Sequence, residues 1–312
     1  MQVHDGSTTF EQPRQAVVTS GTFDGVHYGH QKILDRLKEV AREKEGETVV
    51  VTFWPHPRLV LRPDDENLKL LSTFEEKVDL FRQAGIDHLV RIPFTKEFSQ
   101  YSSDEFIRKV LVEKIGTRYL VIGYDHRFGK NREGSFDYLK EHAAEYGFQV
   151  EEIPRQDVED VGVSSTKIRK ALNEGDIATA NDYLGRPYTL KGKVIHGDQL
   201  GRSWGFPTAN LDVPEKYKLI PRDGIYACKA EVQGRRYEGM MYIGVRPTIE
   251  GIRRNIEVNI FEFDRQIYDE WLRVDFIAKI REDMKFDNIE QLKMQLGEDR
   301  KSALRLLAAH RG

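Results

Sequence analysis

The sequence predicts two domains of different class: an α/β domain on a doubly wound parallel sheet, then an antiparallel β-barrel or sandwich with a terminal helix. Three observations carry this reading. Strand-length apolar runs alternate with helical patterns through Leu184, the rhythm of a parallel sheet covered by helices on both faces. After Leu184-Gly185-Arg186-Pro187, a helix stop and short hinge, the chain becomes strand-rich. Its 312 residues suffice for two cores. The boundary is placed between 185 and 186, giving domains 1–185 and 186–312.

In the first domain the expected strands are Ala16–Ser20, Thr48–Phe53, His88–Ile92, Tyr119–Ile122 and Gln149–Ile153. Helical spacing marks Gln31–Lys44, with Ile33, Leu34, Leu37, Val40 and Ala41 on one side. Further helices are expected over Phe74–Ala84, Asp104–Lys114 and Ser135–Tyr146. Thr73 with Glu76, and Ser102 with Glu105, are capping-box pairs that fix two of these starts. A helical pair, Thr166–Glu174 and Asp176–Leu184, closes the domain.

The second domain reads as strands Tyr188–Ile195, Ile225–Val232, Arg236–Gly244, Ile256–Phe263 and Trp271–Ile280. Gln233-Gly234 suits a tight hairpin between two of them. A helix over Asn288–Ala308 follows, with Ile289, Leu292, Leu296, Leu304 and Leu307 expected on one side.

Composition narrows the function. The longest apolar runs fall well short of the ~20 residues that cross a bilayer, and Met1–Phe10 lacks the basic-then-apolar order of a secretory signal. The single cysteine, Cys228, cannot form an internal disulfide and lies in an alternating run, so it reads as a packed side chain in a cytoplasmic protein. The net charge of −3 disfavours general nucleic-acid binding. Residues through Arg186 carry 26 Lys and Arg against 32 Asp and Glu, and the remainder 22 against 19. That asymmetry admits small anionic substrates in either half and demands no polymer; the sequence leaves the oligomeric state open, with a weak homo-oligomer as one option.

The segment Gly21-Thr-Phe-Asp-Gly-Val-His-Tyr-Gly-His30 lies between a strand and a helix. A helix start offers N–H groups and a positive dipole end to an anion. Gly29 lets a phosphate approach the backbone, and His27 and His30 can donate to a phosphoryl group during transfer. Histidines three apart also occur as metal ligands or packed loop residues. The glycines and Asp24 around the turn favour nucleotidyl transfer.

Three more stretches fall at expected strand ends. They are Pro55-His56-Pro57, Gly123-Tyr-Asp-His-Arg-Phe-Gly129, and Ser164-Ser-Thr-Lys-Ile-Arg169. Ser164 and Thr166 are either helix caps or, with Lys167 and Arg169, a triphosphate clamp.

In this order, F-D-G-V-H-x-G-H, P-H-P, G-x-D-x-R-F-G and S-S-T-x-I-R resemble the adenylyltransferase module of bacterial bifunctional riboflavin kinase/FAD synthetases, a group of HxGH nucleotidyltransferases. The resemblance implies that the FMN phosphate attacks the α-phosphate of ATP, giving FAD and pyrophosphate with Mg²⁺ present. His27 and His30 would stabilise the transition state. Gly21, Phe23, Asp24, Gly29, Asp125, Ser164, Thr166 and Arg169 would hold the nucleotide, and His56, Arg127 and Phe128 would position substrate. His126 departs from the Phe common in the third motif.

In the second half, Gly197, Gly201 and Gly205 suit a phosphate-facing loop with Arg202, or simply a glycine-rich hairpin loop. Thr208 and Asn210 offer oxygens to Mg²⁺. In Ile256-Glu-Val-Asn-Ile260, Glu257 and Asn259 share a face, and a strand Glu commonly just faces solvent. The set G-F-P-T-A-N, I-G-V-R-P-T and E-V-N resembles the riboflavin kinase module of the same family. Glu257 would then be the general base for the ribityl 5′-hydroxyl of riboflavin, with ATP as phosphoryl donor.

Rival readings are one live activity beside a decayed module, a flavin- or RNA-binding regulator, and a tRNA-synthetase-like protein. The last shares H-x-G-H, but this chain has no K-M-S-K-S-type segment.

Overall fold

The computed structural model describes the chain except residues 66, 124–125, 154–161, 198–200, 202–203, 249–250 and 311–312; the side chains of 132, 246–248 and 251–253 are also outside the description. The chain divides into two compact units, Met1–Ser165 and Thr166–Gly312.

The first unit holds a six-stranded parallel sheet: β1 Gln2–Asp5, β2 Val17–Gly21, β3 Thr48–Trp54, β4 His88–Pro93, β5 Tyr119–Gly123 and β6 Gln149–Ile153. Its order is β1-β4-β3-β2-β5-β6. The helices are α1 Tyr28–Glu43, α2 Pro57–Leu61, α3 Phe74–Gln83, α4 (Ser103–Phe106 running into a π-helical stretch Ile107–Lys114) and α5 Phe136–Tyr146. Both expected capping boxes, Thr73 with Glu76 and Ser102 with Glu105, are formed.

Strand residues alternate between two cores. Val18, Val49 and Val51 pack with α4 and α5 through Ile107, Leu111 and Leu139. Val17, Val50 and Leu89 pack with α1 and α3 through Leu34, Leu37 and Phe81. The sheet is thus covered on both faces, as its near-continuous apolar strands require.

The second unit begins with α6 Ser165–Glu174, counted from its last residue in the first unit, and α7 Ile177–Leu184. Gly185, in the left-handed region at φ 68°, ends α7 as the sequence predicts. The strands are β7 Tyr188–Ile195, β8 Ala209–Asp212, β9 Gly224–Val232, β10 Arg235–Thr248, β11 Gly251–Ile260 and β12 Trp271–Arg281. All pair antiparallel and close into a six-stranded barrel, β10-β11-β8-β7-β12-β9. Gln233 and Gly234, both at positive φ, form the β9–β10 hairpin turn. The chain ends with α8 Ile289–Ala309.

Two sequence readings of α8 need correction. Ile289 and Leu304 are exposed; the buried stripe is Asp299, Ala303 and Leu307. One residue step past Ala303 turns Leu304 about 100° away from the stripe. Cys228 is fully buried, as its alternating run predicts, and burial pushes its thiol well above the ordinary range.

Candidate active sites

In the first unit the strand order reverses at β2: β3, β4 and β1 lie to one side, β5 and β6 to the other. The crevice beyond the carboxyl ends at such a reversal is where parallel sheets bind ligands. β2 ends at Gly21 and its neighbour β5 at Gly123, so both glycine-bearing motifs start there.

The apolar spacing predicts a helix from Gln31, but α1 starts at Tyr28, with His27 as its N-cap residue and no side-chain cap hydrogen bond. Gln31 N–H donates back to His27 O at 3.0 Å. H-x-G-H therefore forms the cap and first turn itself, at the positive end of the dipole. The His27 and His30 rings stack, with centroids 3.7 Å apart and 17° between planes. Phe23 meets His30 edge-on at 5.1 Å and Phe81 at 5.5 Å, so a core side chain backs the histidine pair. A Cβ at Gly21 would come within 3.2 Å of the Phe23 ring, a tight contact that the ring would have to relieve by a small shift. Gly29 is buried in α1.

Asp24 is buried, and its carboxylate accepts from Leu71 N at 2.9 Å and Ser72 N at 3.2 Å. These bonds tie the turn to the segment before α3. His56 is buried and caps α2, its Nδ1 accepting from Arg58 N at 3.1 Å. Phe128 is a core residue, its ring 5.6 Å from Phe106, whereas Arg127 is exposed. His126 Nε2 lies 3.2 Å from Ser20 Oγ, bridging the loop after β5 to the end of β2. Asp125 lies outside the described residues. Ser165 Oγ donates to Asp24 O at 3.0 Å. Ser164 and Arg169 are half-buried and Thr166 is exposed; the line between the units falls within this motif.

Sequence reasoning passed over Lys77. Its Nζ donates to Thr22 O at 3.1 Å and sits 4.8 Å from the Trp54 ring centroid. A signal was available: Lys77 falls on the apolar stripe of α3 with Phe74, Val78 and Phe81.

The second unit contains a cavity of about 520 Å³ that brings together Gly197, Gly201, Thr208, Asn210 and Glu257. Arg202 lies outside the described residues. The short strand β8, too brief for a periodic signal, sets Asn210 directly opposite Glu257. Thr208 Oγ1 donates to Glu257 Oε2 at 3.2 Å. Asn259, on the same strand face, donates from Nδ2 to Pro207 O at 2.6 Å and so fixes the G-F-P-T segment. A Cβ at Gly197 would collide with the Asn210 side chain, and one at Gly201 with Phe206 O. The glycines thus admit close contacts that a side chain would block.

Hydroxyl, amide and carboxylate oxygens from Thr208, Asn210 and Glu257 are hard donors of the type Mg²⁺ takes. Mg²⁺ keeps waters and substrate phosphates as its other ligands. Arg281 also lines the cavity, held by Asp299 of α8 through bonds of 2.8 and 2.7 Å.

Comparison with known proteins matches two families to different stretches of the chain. The FAD synthetase family matches residues 9–167 and the riboflavin kinase family residues 184–307. The bifunctional riboflavin kinase/FMN adenylyltransferase of Bacillus subtilis is 37% identical over 300 residues, 95% of this chain and 93% of that protein. Its counterpart in Listeria monocytogenes is 39% identical, covering 91% of this chain and 90% of its own. A solved Streptococcus pneumoniae structure described as a macrolide-efflux protein superposes with a TM-score of 0.87 at 30% identity, covering 96% of this chain and 98% of that one. In this chain no described helix is long and apolar enough to cross a membrane. With both catalytic domains matched over nearly the whole length, the chain belongs to the bifunctional riboflavin kinase/FMN adenylyltransferase family, which makes FMN from riboflavin and FAD from FMN.

Proposed function

We propose that adenylyl transfer runs at the Gly21–His30 turn and phosphoryl transfer at Glu257, in two separate sites. The observation that carries the first assignment is the stacked His27–His30 pair at the start of α1, beside the strand-order reversal. A phosphate oxygen of FMN attacks the α-phosphorus of ATP, the bond to the β-phosphate bridge breaks, and pyrophosphate leaves. His27 and His30 donate to the phosphoryl oxygens as charge builds there. Asp125, Ser164, Thr166 and Arg169 hold the nucleotide, with Gly29 admitting it to the backbone. Gly21, Phe23 and Asp24 shape the turn, while His56, Arg127 and Phe128 position the flavin substrate. No covalent intermediate is required, so positioning and electrostatics carry the rate.

The second assignment is supported by the Thr208–Glu257–Asn210 group inside the cavity. Glu257 takes the proton of the ribityl 5′-hydroxyl as that oxygen attacks the γ-phosphorus of ATP and ADP leaves. Thr208 donates to the carboxylate and orients it. Gly197, Gly201 and Arg202 form the phosphate loop. Thr208 and Asn210 would hold Mg²⁺, which when bound neutralises phosphate charge. The reading is of small-molecule chemistry in the cytoplasm, on riboflavin, FMN and ATP, without nucleic acid or membrane. The net charge of −3 and the single, buried Cys228 support it.

A crossed pair of variants tests the assignments. His30→Ala is expected to lower FAD formation by ~10²–10³ while FMN formation continues. Glu257→Gln is expected to lower FMN formation by ~10²–10⁴ while supplied FMN is still adenylylated. Chromatography of riboflavin, FMN and FAD after incubation with Mg·ATP reads both. FAD synthesis within a few-fold of the parent in His30→Ala removes the first assignment, and unchanged kinase activity in Glu257→Gln removes the second.

A further inference from the structure

The turn that carries the histidines is held in an unfavourable backbone conformation. Phe23 (φ 47°) and Val26 (φ 39°) both lie in the left-handed region, with Gly25 (φ 84°) between them. For a β-branched residue such as Val26 this region is an outlier, sustained only where the surroundings over-determine it. One segment, Leu71–Lys77, makes many of the fixing contacts. Leu71 and Ser72 donate to the Asp24 carboxylate, Ser72 Oγ accepts from Gly25 N at 3.0 Å, and Lys77 Nζ donates to Thr22 O at 3.1 Å.

Lys77 is only 1% exposed. Burying an ammonium is unfavourable unless its environment compensates, and an apolar side chain would suit the stripe of α3 better. Stability therefore does not account for a lysine here. Three of its polar and aromatic partners belong to strand ends at the crevice: the Thr22 carbonyl and the Asp24 charge beyond β2, and the Trp54 ring at the end of β3.

We propose that Lys77 is a positioning residue for adenylyl transfer, its ammonium fixing the Thr22–Val26 turn so that His27 and His30 meet the phosphoryl group. The proposal rests on the assignment of those histidines. Lys77 acts through the turn and touches no reacting atom.

The proposal has a pH signature. Burial pushes the Lys77 ammonium down to about 8, opposed by the charge of Asp24. Thr22 and Trp54, which also face it, do not titrate. The charge that orders the turn is present below that pH and lost above it. The effect on stability has the opposite sign. The unfolded lysine keeps its proton to about 10.5, so between about 8 and 10.5 the unfolded state binds more protons and this group's contribution to stability rises with pH. Loss of FAD synthesis above pH 8 without loss of fold separates positioning from unfolding.

The experiment uses the full chain, whose kinase activity serves as an internal control, and compares the parent, Lys77→Met, Lys77→Arg and His30→Ala. Lys77→Met keeps an unbranched stem like that of the lysine and removes its ammonium. It is expected to lower kcat for FAD formation about 10²-fold, the scale of a small misplacement, with KM for ATP changed little and FMN formation intact. Lys77→Arg is expected to recover part of the loss. The parent's adenylylation is expected to fall with an apparent pKa near 8, a limb that Lys77→Met lacks.

FAD synthesis within two-fold of the parent in a folded Lys77→Met overturns the proposal, and so does a parent with no alkaline limb. The parent's pH profile decides the matter if Lys77→Met fails to fold. Should His30→Ala stay active, the site assignment fails first. Should His30→Ala be inactive and Lys77→Met active, only the role of Lys77 fails.

Discussion

Gly197 shows how a single missing Cβ shapes the kinase cavity. The Asn210 side chain occupies the space that a methyl group at 197 would need, and Asn210 is the register partner of Glu257. Gly197→Ala must therefore displace Asn210 or the loop, and with it a proposed Mg²⁺ ligand. The expected result is a loss of FMN formation of about 10²-fold, at a stability cost of about 1–3 kcal/mol from overpacking, with adenylylation of supplied FMN unchanged. Initial rates of both activities on the same preparation check this; equal rates for Gly197→Ala and parent would mean that the loop yields without consequence. The residue types at this site were legible in the sequence. Thr208, Asn210 and Glu257 stand out beside a glycine-rich loop, whereas the steric need for Gly197 depends on a neighbour 13 positions away and emerges only from the fold.

At the scale of elements, strongly periodic segments could be read and short or mixed ones could not. The central strands β2 to β5 and helices α1, α3 and α5 carry two-sided or one-sided apolar patterns and stand close to where the sequence puts them. β1 and β8 have four residues each, and β1 lies at the sheet edge beside β4, so neither needs a recognisable pattern. α2 begins at a proline after a histidine cap, and five residues cannot show a helical period. Two buried charges share one signature, a charged residue set in an apolar stripe: Lys77 in α3 and Asp299 in α8. Asp299 is 1% exposed and grips Arg281 with both oxygens, joining α8 to the end of β12 beside the cavity. Gln295 Nε2 adds a third donor at 2.9 Å. Removing one member of such a pair strands the other, so Asp299→Ala is expected to destabilise the second unit by about 3–5 kcal/mol. Replacing both, with Arg281→Met and Asp299→Leu, should recover much of that loss. Denaturant unfolding of the two proteins measures the difference, and a single variant as stable as the parent would show that Arg281 finds water instead.

For the whole molecule, the sequence places the division of labour at the 185/186 hinge, whereas the compact units divide after Ser165. The 20 residues between these lines form the rest of α6 and all of α7, which bond to the second unit's strands and loops. Asn181 Nδ2 donates to Phe276 O of β12 at 2.9 Å, and Asn181 Oδ1 accepts from Tyr188 N of β7 at 2.8 Å. Arg222 N donates to Leu172 O at 2.9 Å. Ile177, Ala180 and Leu184 are buried on α7. A fragment from Thr166 to Gly312 keeps these contacts, and one from Arg186 to Gly312 loses them. Both contain Gly197, Thr208, Asn210 and Glu257, so both are expected to fold and convert riboflavin to FMN. The shorter fragment should be less stable by about 3 kcal/mol, roughly two large apolar side chains returned to water. Denaturation of the purified fragments, followed by circular dichroism, measures that difference. Equal stability would assign the helical pair to the first domain, in line with the 185/186 boundary. A folded Thr166–Gly312 fragment unable to make FMN would mean that phosphoryl transfer draws on groups from the first unit, and the two-site assignment would give way to a shared one.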